Sequence, residues 1–303
     1  MQATTVVVDY DYASGKTNTH DSLQSAKEFM LCGGSGIYTA MRTVSNRRRV
    51  FLFEDHMQRI VDSYKMVLAD GLQSDNTVKH WSKLLRPLIR HGLSMYGGNG
   101  ENKITVLVGK SGVQIQLAKL QEPASASCWV RFVGGKREHP EAKDLQWVHE
   151  REVLERLIVP PIDEVVLVDS AEDVRGSRFY EGTSSNFFAV RRTREQGQQQ
   201  RPTFMDYELV SAPLDSVLLG TVMKLVLQIC ETDGIPVRHQ PLVELGVWEG
   251  AFVSSTSRLV LPVEGIAFGD NGQMSQKLDA ESPLVMHLRE RVLHMVMERS
   301  TEL

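Results

Sequence analysis

Cysteine is scarce in this chain. Three occur among 303 residues, Cys32, Cys128 and Cys230, far apart and in no CxxC or Cys/His grouping. An odd, scattered set offers no disulfide framework and no structural zinc site, and it fits a reducing compartment. Long apolar runs are missing as well, and no uncharged stretch is long enough to span a bilayer. The opening "MQATTVVVDYDYASG" has neither a basic leader nor an apolar segment of signal length,. Positive charge is not in excess: 34 Lys and Arg stand against 38 Asp and Glu, a formal net charge of −4. That balance argues against nucleic-acid binding through bulk positive charge. The expectation is a cytoplasmic protein with no membrane and no nucleic-acid partner, import into an organelle remaining open.

Several common catalytic signatures are also missing. There is no GxGxxG and no GxxxxGK[ST], so neither a dinucleotide fold nor a P-loop is supported. No GxSxG elbow and no HExxH occur, and the nine histidines are scattered, so no metal is expected. What is present is ordinary globular material, 42% hydrophobic and 24% charged, long enough for two domains.

Periodicity divides this material into strands and helices without a regular βαβ alternation. "TTVVVDYDY", "IYTAMRTV", "RRVFLFEDH", "KITVLVG" and "VQIQLAKL" read as strands, rich in β-branched and aromatic residues,. "SLQSAKEFML", "DHMQRIVDSYKMVLADGL" (closing near Gly71) and "TVKHWSKLLRPLIRHGLSMYG" have helical spacing,. The Pro/Ser-bearing "QEPASAS", 121–127, reads as a linker between a smaller α/β domain, 1–120, and a larger one, 128–303,. Beyond it the pattern predicts strands at "CWVRFVGG", "EVVLVD" and "SNFFAVRR". It predicts helices at "KDLQWVHEREVLERLIV", at "DSVLLGTVMKLVLQICETDGI" with Asp215 near its start, and at "SPLVMHLRERVLHMVMERS". "GAFVSSTSRLVLPVEGI" reads as strand–turn–strand, and "TREQGQQQRP" as a low-complexity hairpin tip,. The fold class is mixed α/β (α+β) in two domains rather than a doubly wound sheet. The arginines of "NRRRV", Arg47 to Arg49, lack interleaved aromatics and read as a solvated turn,.

One stretch raises a chemical question. "EGTSSNFFAV", Glu181 to Val190, sets a single acid at the mouth of an apolar strand. Burying a carboxylate without a partner is costly, so Glu181 either faces solvent or meets a specific cation.

The surrounding motifs supply a candidate. "EGTSSNFFAV", "GIYTAMRTV" followed by "FLFEDHMQRIVDS", "PEAKDLQW", "SAPLDSVLLGTVMKL" and "AFVSSTSRLVLPV" occur in that order from about residue 33 to 265. Together they resemble the signatures of the class IV, fold type IV, pyridoxal-phosphate aminotransferases. That family includes branched-chain aminotransferases, D-amino acid aminotransferases and aminodeoxychorismate lyases. The resemblance implies a two-domain D-amino acid aminotransferase-like fold, pyridoxal 5′-phosphate as cofactor, and a homodimer with the site in the cleft between domains. It also implies that Lys143, in the Pro-x-x-Lys context that Lys136 lacks, forms the Schiff base and moves the proton. Glu181 then pairs with the protonated pyridine nitrogen of the ring that stabilises a substrate carbanion. Arg59 would grip the phosphate, with Leu218, Gly220, Thr221, Val222, Ser255 and Thr256 around it at a helix N-terminus. Ser185 and Asn186 fall in the same cofactor-binding set, and Tyr38, Lys103 and Ser257 are implied substrate contacts. Taken residue by residue, Arg59 also suits a surface salt bridge and Ser254 to Ser257 an ordinary polar turn.

This chain departs from the family pattern at several positions. Thr39 stands where a glutamate follows the aromatic residue, Gly33 and Val148 stand where branched-chain members carry tyrosines, and Val222 replaces a threonine. The expected activity is transfer of an amino group between an amino acid and a 2-oxo acid. Pyruvate elimination from aminodeoxychorismate and a non-catalytic cofactor-binding role are the alternatives.

Overall fold

The computed structural model describes residues 5–68, 75–170, 174–193, 202–269 and 272–303. The expected hairpin tip at 193–202 lies almost entirely outside the described residues, as does Gly71. The chain groups into two compact units. Unit 1 is Met1–Glu122, Ala142–Glu150 and Met295–Leu303; unit 2 is Pro123–Glu141 and Arg151–His294. The division falls inside the expected linker, but two later segments return to unit 1, and one of them carries Lys143.

In unit 1 the strands are β1 (Thr5–Asp11), β2 (Thr17–Ser22), β3 (Ile37–Val44), β4 (Arg49–Phe51), β5 (Asn102–Val108) and β6 (Gly112–Lys119). With the C-terminal strand β16 (Ser300–Glu302) they form a sheet of order β16-β4-β3-β5-β6-β1-β2. Its helices are α1 (Ala26–Cys32), α2 (Phe53–Val67), α3 (Val78–Met95) and the short α4 (Gln146–Glu150). Alternation along the strands divides the apolar residues between two clusters. Val6, Val8, Ile104, Val106, Ile115 and Leu117 pack with Met57, Ile60, Tyr64, Trp81 and Leu85 of α2 and α3. Val7, Tyr38 and Leu107 pack on the other side with Phe29 and Met30 of α1 and with Leu145 and Val148.

Two expectations are corrected here. The strand expected through "RRVFLFEDH" stops at Phe51; Leu52 takes a left-handed φ of 52° and α2 starts at Phe53. Arg47 to Arg49 are also more than a solvated turn. Ser45, Asn46 and Arg47 all have positive φ, and the Glu101 carboxylate holds that turn by accepting from Thr43 Oγ1 and the amides of Asn46 and Arg47. The Arg47 guanidinium donates to the carbonyls of Tyr96 and Gly98, and that of Arg49 to Ser300.

Unit 2 contains β7 (Cys128–Gly134), β8 (Ile162–Val168), β9 (Phe179–Gly182), β10 (Asn186–Arg192), β11 (Tyr207–Ser211), β12 (Val237–Arg238), β13 (Trp248–Ser255), β14 (Leu259–Phe268) and β15 (Met274–Lys277). Strand β9 pairs with both β8 and β10, so β7, β8, β9, β10, β13 and β14 close into a ring. Phe132, Phe179, Phe187 and Trp248, one from each of four ring strands, pack mostly edge to face with centroids 5.2–6.4 Å apart,. The helices are α5 (Glu152–Glu155), α6 (Thr221–Asp233) and α7 (Pro283–Glu298), the last ending in unit 1.

Two expected helices change here. "KDLQWVHEREVLERLIV" is not one helix but a non-helical stretch at 143–145 followed by α4 and α5, because the backbone at 144 bridges to Ile37 instead. The helix expected to start near Asp215 starts six residues later, at Thr221. Side chains capture the backbone before it: Leu218 N donates to Glu181 and Leu218 O accepts from Asn186.

Candidate active site

The proposed cofactor residues belong to both units, and each set has its own geometry. In unit 1 the frame is one face of α2, where His56, Arg59 and Ser63 recur at i, i+3 and i+7 and are all buried,. Lys143 is fastened alongside. Its amide donates to Ser63 Oγ at 3.0 Å, its carbonyl accepts from the Tyr38 amide at 2.9 Å, and the Leu145 amide donates to Gly36 O at 2.9 Å. The half-buried Lys143 side chain carries Nζ to 4.9 Å from the centre of the Tyr38 ring, a cation–π distance,.

His56 was not singled out by sequence, yet it is fully buried and its Nδ1 lies 2.7 Å from Thr39 Oγ1. Its Nε2 has no hydrogen-bond partner among the described residues. Burial, then the neighbouring charges of Arg59 and Lys143, hold its imidazole well below the ordinary histidine pKa, so it is neutral,. Thr39, which departs from the family glutamate, is therefore partnered with a neutral ring. Tyr38 and Arg42 share a face of β3, and Lys103 sits directly across from Arg42 in the register,. The Arg42 guanidinium meets Glu122 at 3.1 Å.

In unit 2 the frame is the turn between β9 and β10 and the entry to α6. Glu181 is 4% exposed. Its Oε2 accepts from the Leu218 amide at 3.1 Å, and Arg137 Nη1 lies 3.8 Å from its Oε1. Asn186, paired across the ladder with Glu181, donates to Leu218 O at 2.8 Å. Gly220 caps α6 without a side-chain bond, and a Cβ there would stand 2.1 Å from Asn186 Oδ1, so only glycine fits,. The first-turn amides of α6 are thus left for an anion. The buried Thr221 hydroxyl lies 3.5 Å from that of Thr256, a long contact that brings two of the residues expected around the phosphate together. Ser254, opposite Asn186 in the register, has a buried hydroxyl with no partner among the described residues. Val222 is buried in the core and has only its backbone to offer.

Two predicted hydroxyls are engaged elsewhere. Ser185 donates to Glu164 at 3.0 Å, and Ser255 Oγ accepts from the Arg258 amide at 3.2 Å. Glu164, Arg258 and Arg137, like His56, were missed by sequence reasoning. The signal for Glu164 was available: "DEVVLV" sets an acid ahead of an apolar strand, as "EGTSSNFFAV" does. Among the described residues no group of acidic, histidine and cysteine side chains could hold a metal ion.

A closed-ring unit and a smaller α/β unit in one chain define a fold type IV aminotransferase architecture. Residues 36–266 match the family model for amino-transferase class IV, and the chain belongs to that family. Similar solved structures include a branched-chain aminotransferase from Thermoproteus uzoniensis with norvaline, at 19% identity and TM-score 0.69 over 99% of both chains. The branched-chain amino acid aminotransferase from Escherichia coli aligns at 19% identity and TM-score 0.63, over 88% of this chain and 86% of that one. That of Thermobaculum terrenum in its PLP form aligns at 15% identity and TM-score 0.66, over 99% and 96%. No curated protein sequence matches the chain significantly.

Proposed function

We propose that the chain is a pyridoxal 5′-phosphate-dependent aminotransferase that moves an amino group between an amino acid and a 2-oxo acid, and that it works as a homodimer. The observation that carries the reading is the buried Glu181 carboxylate, held by the Leu218 amide at the entry to α6. A buried anion beside a helix start kept clear by Gly220 suits a ligand with a cationic ring and an anionic tail. When bound, pyridoxal phosphate supplies an aldehyde that condenses with primary amines and a protonated ring that withdraws electrons from a substrate Cα.

The rest is done by the protein. Glu181 holds the ring-nitrogen proton. Arg59, the amides at the start of α6 and the hydroxyls of Thr221 and Thr256 hold the phosphate. Lys143 Nζ would be the cofactor's covalent anchor, and the same nitrogen, when free, would serve as the base and acid that moves the substrate's Cα proton. The two backbone bonds of Lys143 fix where the amine starts from, and the Tyr38 ring gives its ammonium form a partner. His56, held neutral, adds no competing charge.

The test is an absorbance-monitored screen of L- and D-amino acids against the cofactor-loaded protein, run with and without a 2-oxo acid. Amino transfer requires the acceptor for multiple turnovers, whereas elimination proceeds without one. Protein that stays colourless with added cofactor contradicts the reading.

A further inference from the structure

Glu164 lies in β8, is 0% exposed, and accepts five hydrogen bonds among the described residues. Its Oε1 takes Thr183 Oγ1 at 2.6 Å and the Val165 amide at 3.1 Å; its Oε2 takes Ser184 Oγ at 2.8 Å, Ser185 Oγ at 3.0 Å and Arg258 Nη1 at 2.7 Å. Three of those donors are consecutive residues of the turn that begins with Glu181. The Arg258 donor belongs to the turn that contains Thr256. Burial alone would push this carboxyl up, but Arg258 and the three hydroxyls more than offset it and hold it below the ordinary value,.

Both turns are pressed onto the pair. A Cβ on Gly182 would stand 2.3 Å from Ser185 Oγ and 3.1 Å from the Glu164 carboxyl carbon, so the first turn approaches as only glycine allows. In the second, the other arm of Arg258 donates to Asp163 O at 3.3 Å and its amide to Ser255 Oγ at 3.2 Å. The next residue, Leu259, adopts a left-handed φ of 55°, which a branched side chain avoids unless its neighbours impose it,.

We infer that Glu164 and Arg258 form a positioning pair for the cofactor, one ion pair with a fully buried carboxylate and a partly exposed guanidinium that sets the turn carrying Glu181 and the turn carrying Thr256 together. This rests on the cofactor reading above. Neither residue touches the reacting atoms; each acts through the turn it holds. Changing either charge should loosen the grip on ring nitrogen and phosphate at once, beyond any effect on folding.

The test compares wild type with Arg258→Lys, Arg258→Met, Glu164→Gln and the double variant Glu164→Gln/Arg258→Met, which leaves no unpaired charge in the interior. Affinity for pyridoxal phosphate and for pyridoxal, which lacks the phosphate, is measured by titrating the visible band of lysine-bound cofactor; apoprotein melting is followed by circular dichroism. The double variant is expected to melt cooperatively and to bind pyridoxal phosphate about tenfold more weakly, as for other outer-sphere partners, with a smaller loss for pyridoxal. Arg258→Lys is expected to recover most of the loss. A folded double variant with wild-type affinity for both ligands overturns the inference. Should that variant not fold, Ser184→Ala decides: it removes one donor and keeps both charges paired, and unchanged cofactor affinity there overturns the inference equally. Wild-type protein with no visible band refutes the cofactor reading itself, whereas a wild-type band with unchanged variants refutes only the pair.

Discussion

The amide of Lys143 donates to the hydroxyl of Ser63 at 3.0 Å. The lysine is thereby fixed by its backbone to α2, one turn beyond Arg59, while its carbonyl is fixed to β3. Replacing Ser63 by alanine leaves that amide without its acceptor in a buried place. The expected cost is about 1–3 kcal/mol in urea unfolding, with kcat reduced more than KM because the amine is displaced and not the binding groups.

Lys143→Ala should abolish the visible band of lysine-bound cofactor and amino transfer with it. Lys136→Ala should leave both unchanged, since Lys136 is exposed and outside the Pro-x-x-Lys context. Spectra and steady-state turnover of the two variants, side by side, check the assignment.

Gly220→Ala places a methyl group 2.1 Å from Asn186 Oδ1. Asn186 must move, giving up its bond to Leu218 O and disturbing the Leu218 amide that Glu181 accepts. A loss of about 1–3 kcal/mol in stability is expected, together with weaker cofactor binding. Thermal melting of the apoprotein and cofactor titration measure the two effects separately.

His56 makes stability depend on pH. Its folded pKa is depressed, so the unfolded chain binds a proton first as pH falls below about 6.5, the ordinary histidine value,. Stability present above pH 6.5 should fall with a slope of up to about 1.4 kcal/mol per pH unit until the folded pKa is passed. The His56→Gln variant should lack that component between pH 7 and 5 in urea unfolding. Thr39→Glu should act in the opposite sense, since a carboxylate beside Nδ1 favours the imidazolium and raises its pKa in an NMR titration.

Local patterning made much of the fold legible: the strands "IYTAMRTV" and "KITVLVG", the α2 spacing, and the strand–turn–strand around Thr256 all carry their signals within a few residues. Where the expectations failed, distant side chains had intervened. Asp215 precedes an apolar helical run, but Glu181 and Asn186, more than thirty residues earlier, claim the backbone at Leu218 and delay the helix. "KDLQWVHEREVL" has helical composition, but the backbone bonds to Gly36 and Tyr38 keep its first three residues out of the helix. Arg258 escaped notice because it looks unremarkable alone, and only folding shows that it meets Glu164. The resemblance singles out Lys143, Glu181 and Thr256 because their neighbours repeat a known pattern.

Lys143 is aligned by pairing rather than by counting along the chain. The bridge between Ile37 and Asp144 indexes the amine to a sheet edge, so residues may be gained or lost in the loop before it without shifting the amine along α2. Length variation in the connection before Lys143 therefore leaves that bridge untouched, whereas one residue inserted between Lys143 and Leu145 would break the match of two backbone bonds, Tyr38 N to Lys143 O and Leu145 N to Gly36 O.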